Sequence, residues 1–150
     1  MGGDKSQQSD RVKEDNIYRI VDANLNRARE GVRVVEEVAR LYLDDAALSS
    51  RFKKLRHELT GVARKSFDER KLLSFRDSQG DVGADSMGSL EKKRANVTSI
   101  VQANLRRSQE ATRVLEEFGK LINPDSARAF KRIRFRLYIL EQEMQGLSKD

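Results

Sequence analysis

A stretch of 22 residues occurs twice in this chain, eighty positions apart, and it restricts the fold more than any other feature. Residues 20–41 read IVDANLNRAREGVRVVEEVARL and residues 100–121 read IVQANLRRSQEATRVLEEFGKL, with twelve of 22 positions identical. A shorter pair follows each copy: FKKLRHEL at 52–59 against FKRIRFRL at 130–137, four of eight identical. The chain therefore reads as a duplicated helix pair, in which each copy is an internal control on the other. Packing alone would preserve the apolar stripe. Here polar positions are preserved as well, and they require a chemical reason.

A chain of 150 residues suits one domain with one core. Charged residues make up 36% and there is a single Pro, a helical mixture rather than a disordered one. No apolar run reaches the 18 residues of a membrane span, and Met1 to Asp15 is polar throughout, unlike a secretory leader. With no Cys there is no disulfide, thiolate nucleophile or Cys-based zinc site, which fits a cytoplasmic protein. The net charge of +6 comes from 30 basic and 24 acidic residues that interleave. Nucleic-acid binders segregate basic residues and add aromatic stacking platforms. Here aromatics are 6%, and even the most basic stretch, Arg128 to Arg136, is spread around a helix, so small anionic ligands are the better match.

The helical period organises the rest. Residues 1–12 read as a disordered tail and 13–150 as one helical domain, with repeat 1 at 13–66, a connecting loop at 67–89 and repeat 2 at 90–146. A long helix is expected from about Val12 to Tyr42, and a second from Ala46 to about Lys65 with Asp45 as N-cap. The second copy is expected from near Leu90 to Ile122. Asn123-Pro124 then supplies an N-cap and a Pro at the first helical position, opening a helix that runs to about Gln145, where Gly146 stops it. Neither hairpin can bury its stripe alone. The fold class expected is all-α, an up-and-down four-helix bundle. The connection is long for a compact domain, where such loops bind ligands or serve as linkers. A short helix fits Asp68 to Leu73, and Phe75, Val82 and Met87 look like anchors that a plain linker would not need.

On a helical wheel Asn24 falls at the centre of the apolar face, among Ile20, Ala28, Gly31, Val35 and Val38, and Asn104 takes the same place in the second copy. Arg27 and Arg107 lie to one side, within the apolar arc. A buried unpaired amide costs roughly 1–3 kcal/mol and a charge more, so each must have a partner: carboxylates of the other hairpin, or a ligand between the hairpins. Glu30, Arg33, Glu36 and Glu37 recur as Glu110, Arg113, Glu116 and Glu117. Arg33 can pair with Glu37 and Glu36 with Arg40, the ordinary reading of an exposed salt-bridge face.

No Walker loop, dinucleotide fingerprint or HExxH zinc motif is present. His57 is the sole histidine and reads as an ordinary helix residue. Acid–base work would fall to carboxylates and anion binding to arginines. The Gly80-Asp81-Val82-Gly83 turn could present backbone N–H groups to a phosphate, a weak signal by itself.

Four blocks in order, ANLNRAREGVRVVEE, LRHEL, RDSQGDVG and ANLRRSQEATRVLEEFGKL, resemble the all-helical, non-ribokinase hydroxymethylpyrimidine-phosphate kinase family, often fused ahead of a thiamine-phosphate synthase barrel. The resemblance covers about Tyr18 to Met144. It implies ATP- and Mg²⁺-dependent phosphorylation of 4-amino-5-hydroxymethyl-2-methylpyrimidine phosphate to its diphosphate, in thiamine biosynthesis. Thr112 departs from the Leu more usual there. With the sequence ending at Asp150, a stand-alone version is expected.

Phosphoryl transfer depends on alignment and electrostatic cover, and arginine forks suit phosphate oxygens. Under this reading Arg27 and Arg107, with Glu30 and Glu110, are the catalytic candidates. Arg33, Arg113 and Arg76 bind phosphate, and Asn24 and Asn104 read the aminopyrimidine edge. Asp77 and Asp81 are the first choice for Mg²⁺, which takes one or two carboxylates and keeps its other sites for water and phosphate. The alternative is a non-catalytic helical module that binds or regulates a thiamine-phosphate synthase. Beyond ATP and the pyrimidine phosphate, the possible partners are that synthase and a second copy in a homodimer, with neither membrane nor nucleic acid.

Overall fold

The computed structural model describes residues 3–85 and 96–145. Four long helices and one short one account for nearly all of them: α1 (Gly3–Glu37), α2 (Ala46–Ser66), α3 (Glu69–Ser74), α4 (Val97–Gly119) and α5 (Ser126–Met144). A single π-helical turn, Val38–Tyr42, extends α1. Asp45 caps α2 as its sequence indicates, accepting the Leu48 N–H at 3.0 Å. Asp68 caps α3 by accepting from Arg70 and Lys71, and Asn96 opens α4 with a reciprocal capping box to Ser99.

Several boundaries differ from expectation. Helix α1 begins at Gly3 rather than near Val12, so the stretch expected as a disordered tail is helical from its third residue. No Pro, and no Gly after Gly3, interrupts it before Gly31, and Lys, Gln and Glu there favour helix. Helix α5 begins at Ser126, two residues beyond Pro124, because Asn123 caps a turn first: its Oδ1 accepts the Asp125 N–H and its carbonyl accepts the Ser126 hydroxyl. Helix α4 begins at Val97, capped by Asn96, rather than near Leu90, and it ends at Gly119 rather than at Ile122. Leu90 itself, the Met87 anchor and the Gly146 stop lie outside the described residues.

Opposed residue pairs give the order and direction of the helices. Glu36 and Arg29 of α1 meet Arg56 and Thr60 of α2. Arg51 and Glu58 of α2 meet Glu143 and Arg136 of α5. Glu116 and Gln109 of α4 meet Arg134 and Glu141 of α5. In every pair one number rises as the other falls, so neighbours run antiparallel. With α1 packed on α4, the ring α1–α2–α5–α4 closes as an up-and-down bundle. Its core is an apolar stripe in both copies, including Val21, Leu25, Val35, Phe52, Leu59, Leu105, Leu115, Phe130 and Leu137. On α1 the stripe is centred on Leu25, Ala28 and Val32 rather than on Asn24, and Ile20 and Val38, expected within it, are only half-buried.

Helices α1 and α4 cross where the copies face each other. Ser108 donates its hydroxyl to the Ala28 carbonyl at 3.0 Å, and Ala28 and Ser108 are equivalent positions of the repeat. Gly31 permits the approach: a Cβ there would stand 2.8 Å from the Asn104 carbonyl oxygen and overlap the Ser108 hydroxyl.

The shared charges prove to be the bracing of each hairpin. Glu36 is 4% exposed and bonds the Arg56 guanidinium through both oxygens, at 2.7 and 3.2 Å, while Arg33 reaches Glu37 at 2.9 Å. The second copy repeats this with Glu116 on Arg134 at 2.9 Å and Arg113 on Glu117 at 3.1 Å. The Glu36–Arg40 pair expected from spacing is replaced by this interhelical one. Burial alone would raise the Glu36 carboxyl pKa, but the Arg56 hydrogen bond and the charges of Arg56, Arg33 and Lys53 outweigh it and hold it below its ordinary value. Twenty positions separate Glu36 from Arg56 and eighteen separate Glu116 from Arg134. The wide π turn takes up part of this excess in the first copy.

Candidate functional site

An open cleft of about 630 Å³ lies between the outer side of α1 and the loop after α3. From α1 it is lined by Asn16, Arg19, Asp22, Asn24, Asn26 and Arg27, and from the loop by Arg76, Asp77, Ser78 and Asp81. A helix offers this many polar groups on one side because positions 16, 19, 22 and 26 recur at three- and four-residue intervals, with 27 beside 26.

The loop is fastened at its first two residues. Phe75 is half-buried, its ring set edge-on to Tyr18 at 5.7 Å. Arg76 forks Asp22, Nε to Oδ2 and Nη2 to Oδ1, each at 2.7 Å. The hydrogen bonds it donates to Asp22 raise the Arg76 guanidinium pKa above its ordinary value against the opposing effect of burial. Beyond Arg76 the chain turns on its own carboxylates: Asp77 Oδ1 accepts the Gly80 N–H at 2.8 Å and Asp81 Oδ1 accepts the Gly83 N–H at 2.9 Å. Phe75 is thus the anchor it was expected to be, whereas Val82 is fully exposed and anchors nothing.

Of the candidate residues, Asn24, Arg27, Arg76, Asp77 and Asp81 come together in this cleft. The rest lie elsewhere. Asn104, Arg107, Glu110 and Arg113 belong to α4, where Glu110 and Arg113 line a separate groove with Arg106, Arg134 and Tyr138. Glu30 is exposed and outside the cleft, and Arg33 lines the groove between α1 and α2. Arg27 and Arg107 are exposed rather than within the apolar arc, because long side chains carry their charge out to water. The two asparagines answer their burial locally: Asn24 Nδ2 donates to the Ile20 carbonyl and Asn104 Nδ2 to the Ile100 carbonyl, both at 2.8 Å. Neither expected partner, a carboxylate of the other hairpin or a ligand, is needed to satisfy these amide nitrogens. His57 is exposed on α2.

The cleft also contains residues that comparing the copies passes over. Arg19, Asp22 and Asn26 align with Ser99, Gln102 and Arg106, so they stand at positions where the repeats disagree. Only the long apolar-period helix and the nearby RDSQGDVG loop signalled a site there. Among the described residues, Arg19 and Arg27 have no ion-pair partner, and neither do Asp77 and Asp81. No group of three or more His, Asp or Glu suited to a metal occurs among the described residues. Two carboxylates with one oxygen each left over from the turn bonds still match a cation that completes its shell with phosphate and water. No described helix is long and apolar enough to cross a membrane.

Bundle and cleft together define an all-α protein with a surface site of both charge signs. The chain belongs to the ThiD2 family, whose model matches residues 19–143. It is 43% identical over 130 residues to a thiamine-phosphate synthase of Nostoc punctiforme, covering 87% of this chain and 36% of that protein. Proteins of the same name from Rhodopirellula baltica and Gloeobacter violaceus are 40% and 42% identical, covering 88% and 90% of this chain. The chain spans little more than a third of the length of these relatives. No solved structure matches it.

Proposed function

We propose that this protein acts in thiamine biosynthesis as an ATP-dependent kinase, converting 4-amino-5-hydroxymethyl-2-methylpyrimidine phosphate to its diphosphate. The observation that carries this is the cleft's composition: two arginines and two carboxylates with no internal ion-pair partner line one space. Family membership and the naming of the relatives support the pathway. The acceptor's phosphate oxygen attacks the γ-phosphorus of ATP, a new P–O bond forms, and the bond to ADP breaks. A phosphate monoester is largely dianionic at neutral pH, with a second pKa of about 6, so the acceptor oxygen needs no general base. The main difficulty is bringing two anions together, and charge neutralisation with alignment answers it. Arg19 and Arg27 bind and neutralise phosphate oxygens of the two reactants. Asn24 and Asn26 offer amide groups to the pyrimidine edge, and Asp77 and Asp81 are the residues that would hold Mg²⁺. The metal supplies additional positive charge on the nucleotide phosphates when bound.

The test is ADP release by purified protein, followed with a coupled assay. Turnover is expected only when ATP, Mg²⁺ and the pyrimidine phosphate are all present. Saturable binding of the pyrimidine phosphate without ADP formation would reject the kinase and leave a binding module.

A further inference from the structure

The cleft wall holds a carboxylate for which the proposed chemistry has no direct use. Asp22 is 6% exposed, and Arg76 occupies both of its oxygens. Its equivalent in the second copy, Gln102, is exposed and cannot carry a charge, so the bundle itself does not demand an acid at this place. A buried carboxylate without its counter-charge is strongly unfavourable, so Asp22 and Arg76 form a matched pair peculiar to the first copy.

The pair stands at a mechanically significant point. Every residue from Arg76 to Asp85 is exposed, and the hydrogen bonds from Asp77 to Ala84 are internal to the loop. The fixed points next to Asp77 are therefore Phe75 against Tyr18 and Arg76 on Asp22. A ring contact fixes position but tolerates rotation. A two-bonded guanidinium–carboxylate fork is planar and also fixes direction. Asp77 follows Arg76 immediately, so the direction of that fork governs where the Asp77 and Asp81 carboxylates stand relative to Arg19 and Arg27.

We propose that Asp22 is a positioning residue, setting the loop carboxylates against the arginines of α1 by holding Arg76. The inference rests on the phosphoryl-transfer reading of the cleft. The test compares Asp22→Asn, Asp22→Glu and Arg76→Lys in the full chain by three measurements: thermal midpoint, tryptic cleavage after residue 76, and Mg²⁺ dependence of turnover. Arg76 is a trypsin site restrained by its fork, which makes cleavage a readout independent of activity. Asp22→Asn is expected to stay folded, to be cut at Arg76 at least tenfold faster, and to need at least fivefold more Mg²⁺ for half-maximal turnover. Asp22→Glu should recover part of both effects, and Arg76→Lys, with one bond in place of two, should fall between. A lowered midpoint with unchanged Mg²⁺ dependence would overturn the proposal, as would unchanged cleavage. Should the wild type form no ADP with the pyrimidine phosphate, the kinase reading fails by itself, and the cleavage rates still decide whether Asp22 restrains the loop.

Discussion

Replacing Gly31 by Ala tests the crossing of α1 and α4, on which the arrangement of the bundle depends. The added Cβ would stand 2.8 Å from the Asn104 carbonyl oxygen, where ordinary contact begins at 3.4 Å, so the helices must part by roughly 0.6 Å. The Ser108 hydroxyl would also have to turn away, giving up its buried hydrogen bond to the Ala28 carbonyl. Overpacking costs about 1–3 kcal/mol and the lost hydrogen bond about 1 kcal/mol. Exchanging Gly for Ala inside a helix returns about 1 kcal/mol. The net expectation is a loss of roughly 1–3 kcal/mol, seen as a fall of about 3–10 °C in Tm for a domain of this size. Gly61 is the control: an added Cβ meets nothing within 4 Å, so Gly61→Ala should raise stability by about 0.5–1 kcal/mol. Thermal and urea unfolding followed by circular dichroism at 222 nm measures both variants. If Gly31→Ala is neutral or stabilising, like Gly61→Ala, the helices do not cross as closely as described.

Two further perturbations test the bracing and the amides. Arg56→Met leaves the Glu36 carboxylate buried with the half-exposed Arg33, at 3.7 Å, and the Lys53 charge as its remaining cations, and should cost about 1–3 kcal/mol in urea unfolding at neutral pH. Because the folded Glu36 pKa lies below its ordinary value of 4.5, its contribution is complete above that pH and is lost as pH falls through the lower folded value. Glu36→Gln should therefore flatten the stability profile below about pH 4.5, and an unaltered acid limb would contradict the assignment. Asn24→Leu gives up one hydrogen bond to its own helix, so a pure packing role predicts a change in stability within about 1 kcal/mol and unaltered turnover. A substrate contact predicts a folded protein that has lost most of its kcat/KM, with Asn104→Leu unaffected.

The bundle was legible in the sequence because duplication displays the apolar stripe twice, and Asp45 and Asp68 mark helix starts in the ordinary way. The same duplication misdirects the search for a site. Several polar residues common to both copies satisfy needs common to both hairpins. Glu36 with Arg56 and Glu116 with Arg134 bolt each long helix to its partner, and Asn24 and Asn104 close on the carbonyl one turn back. The cleft adds to the shared Asn24 and Arg27 residues at which the copies disagree, Arg19 against Ser99 and Asp22 against Gln102. The loop candidates Arg76, Asp77 and Asp81 were legible because they have no counterpart in the repeat. The Arg76 partner Asp22 was not, since the pair is separated by 54 positions and follows no helical spacing.

Under the proposed function, the cleft of the first copy performs the transfer while the second copy provides scaffold. Arg27 and Arg107 occupy equivalent places on α1 and α4, and only Arg27 lines the cleft. The most direct measurement is the kcat/KM of Arg27→Ala and Arg107→Ala for the pyrimidine phosphate at saturating ATP and Mg²⁺. A loss of about 100-fold or more is expected for Arg27→Ala, as for removal of a charge-assisted phosphate contact worth about 3 kcal/mol. A change of less than about threefold is expected for Arg107→Ala. Equal losses at the two positions, or the larger loss at Arg107, would contradict this division of roles.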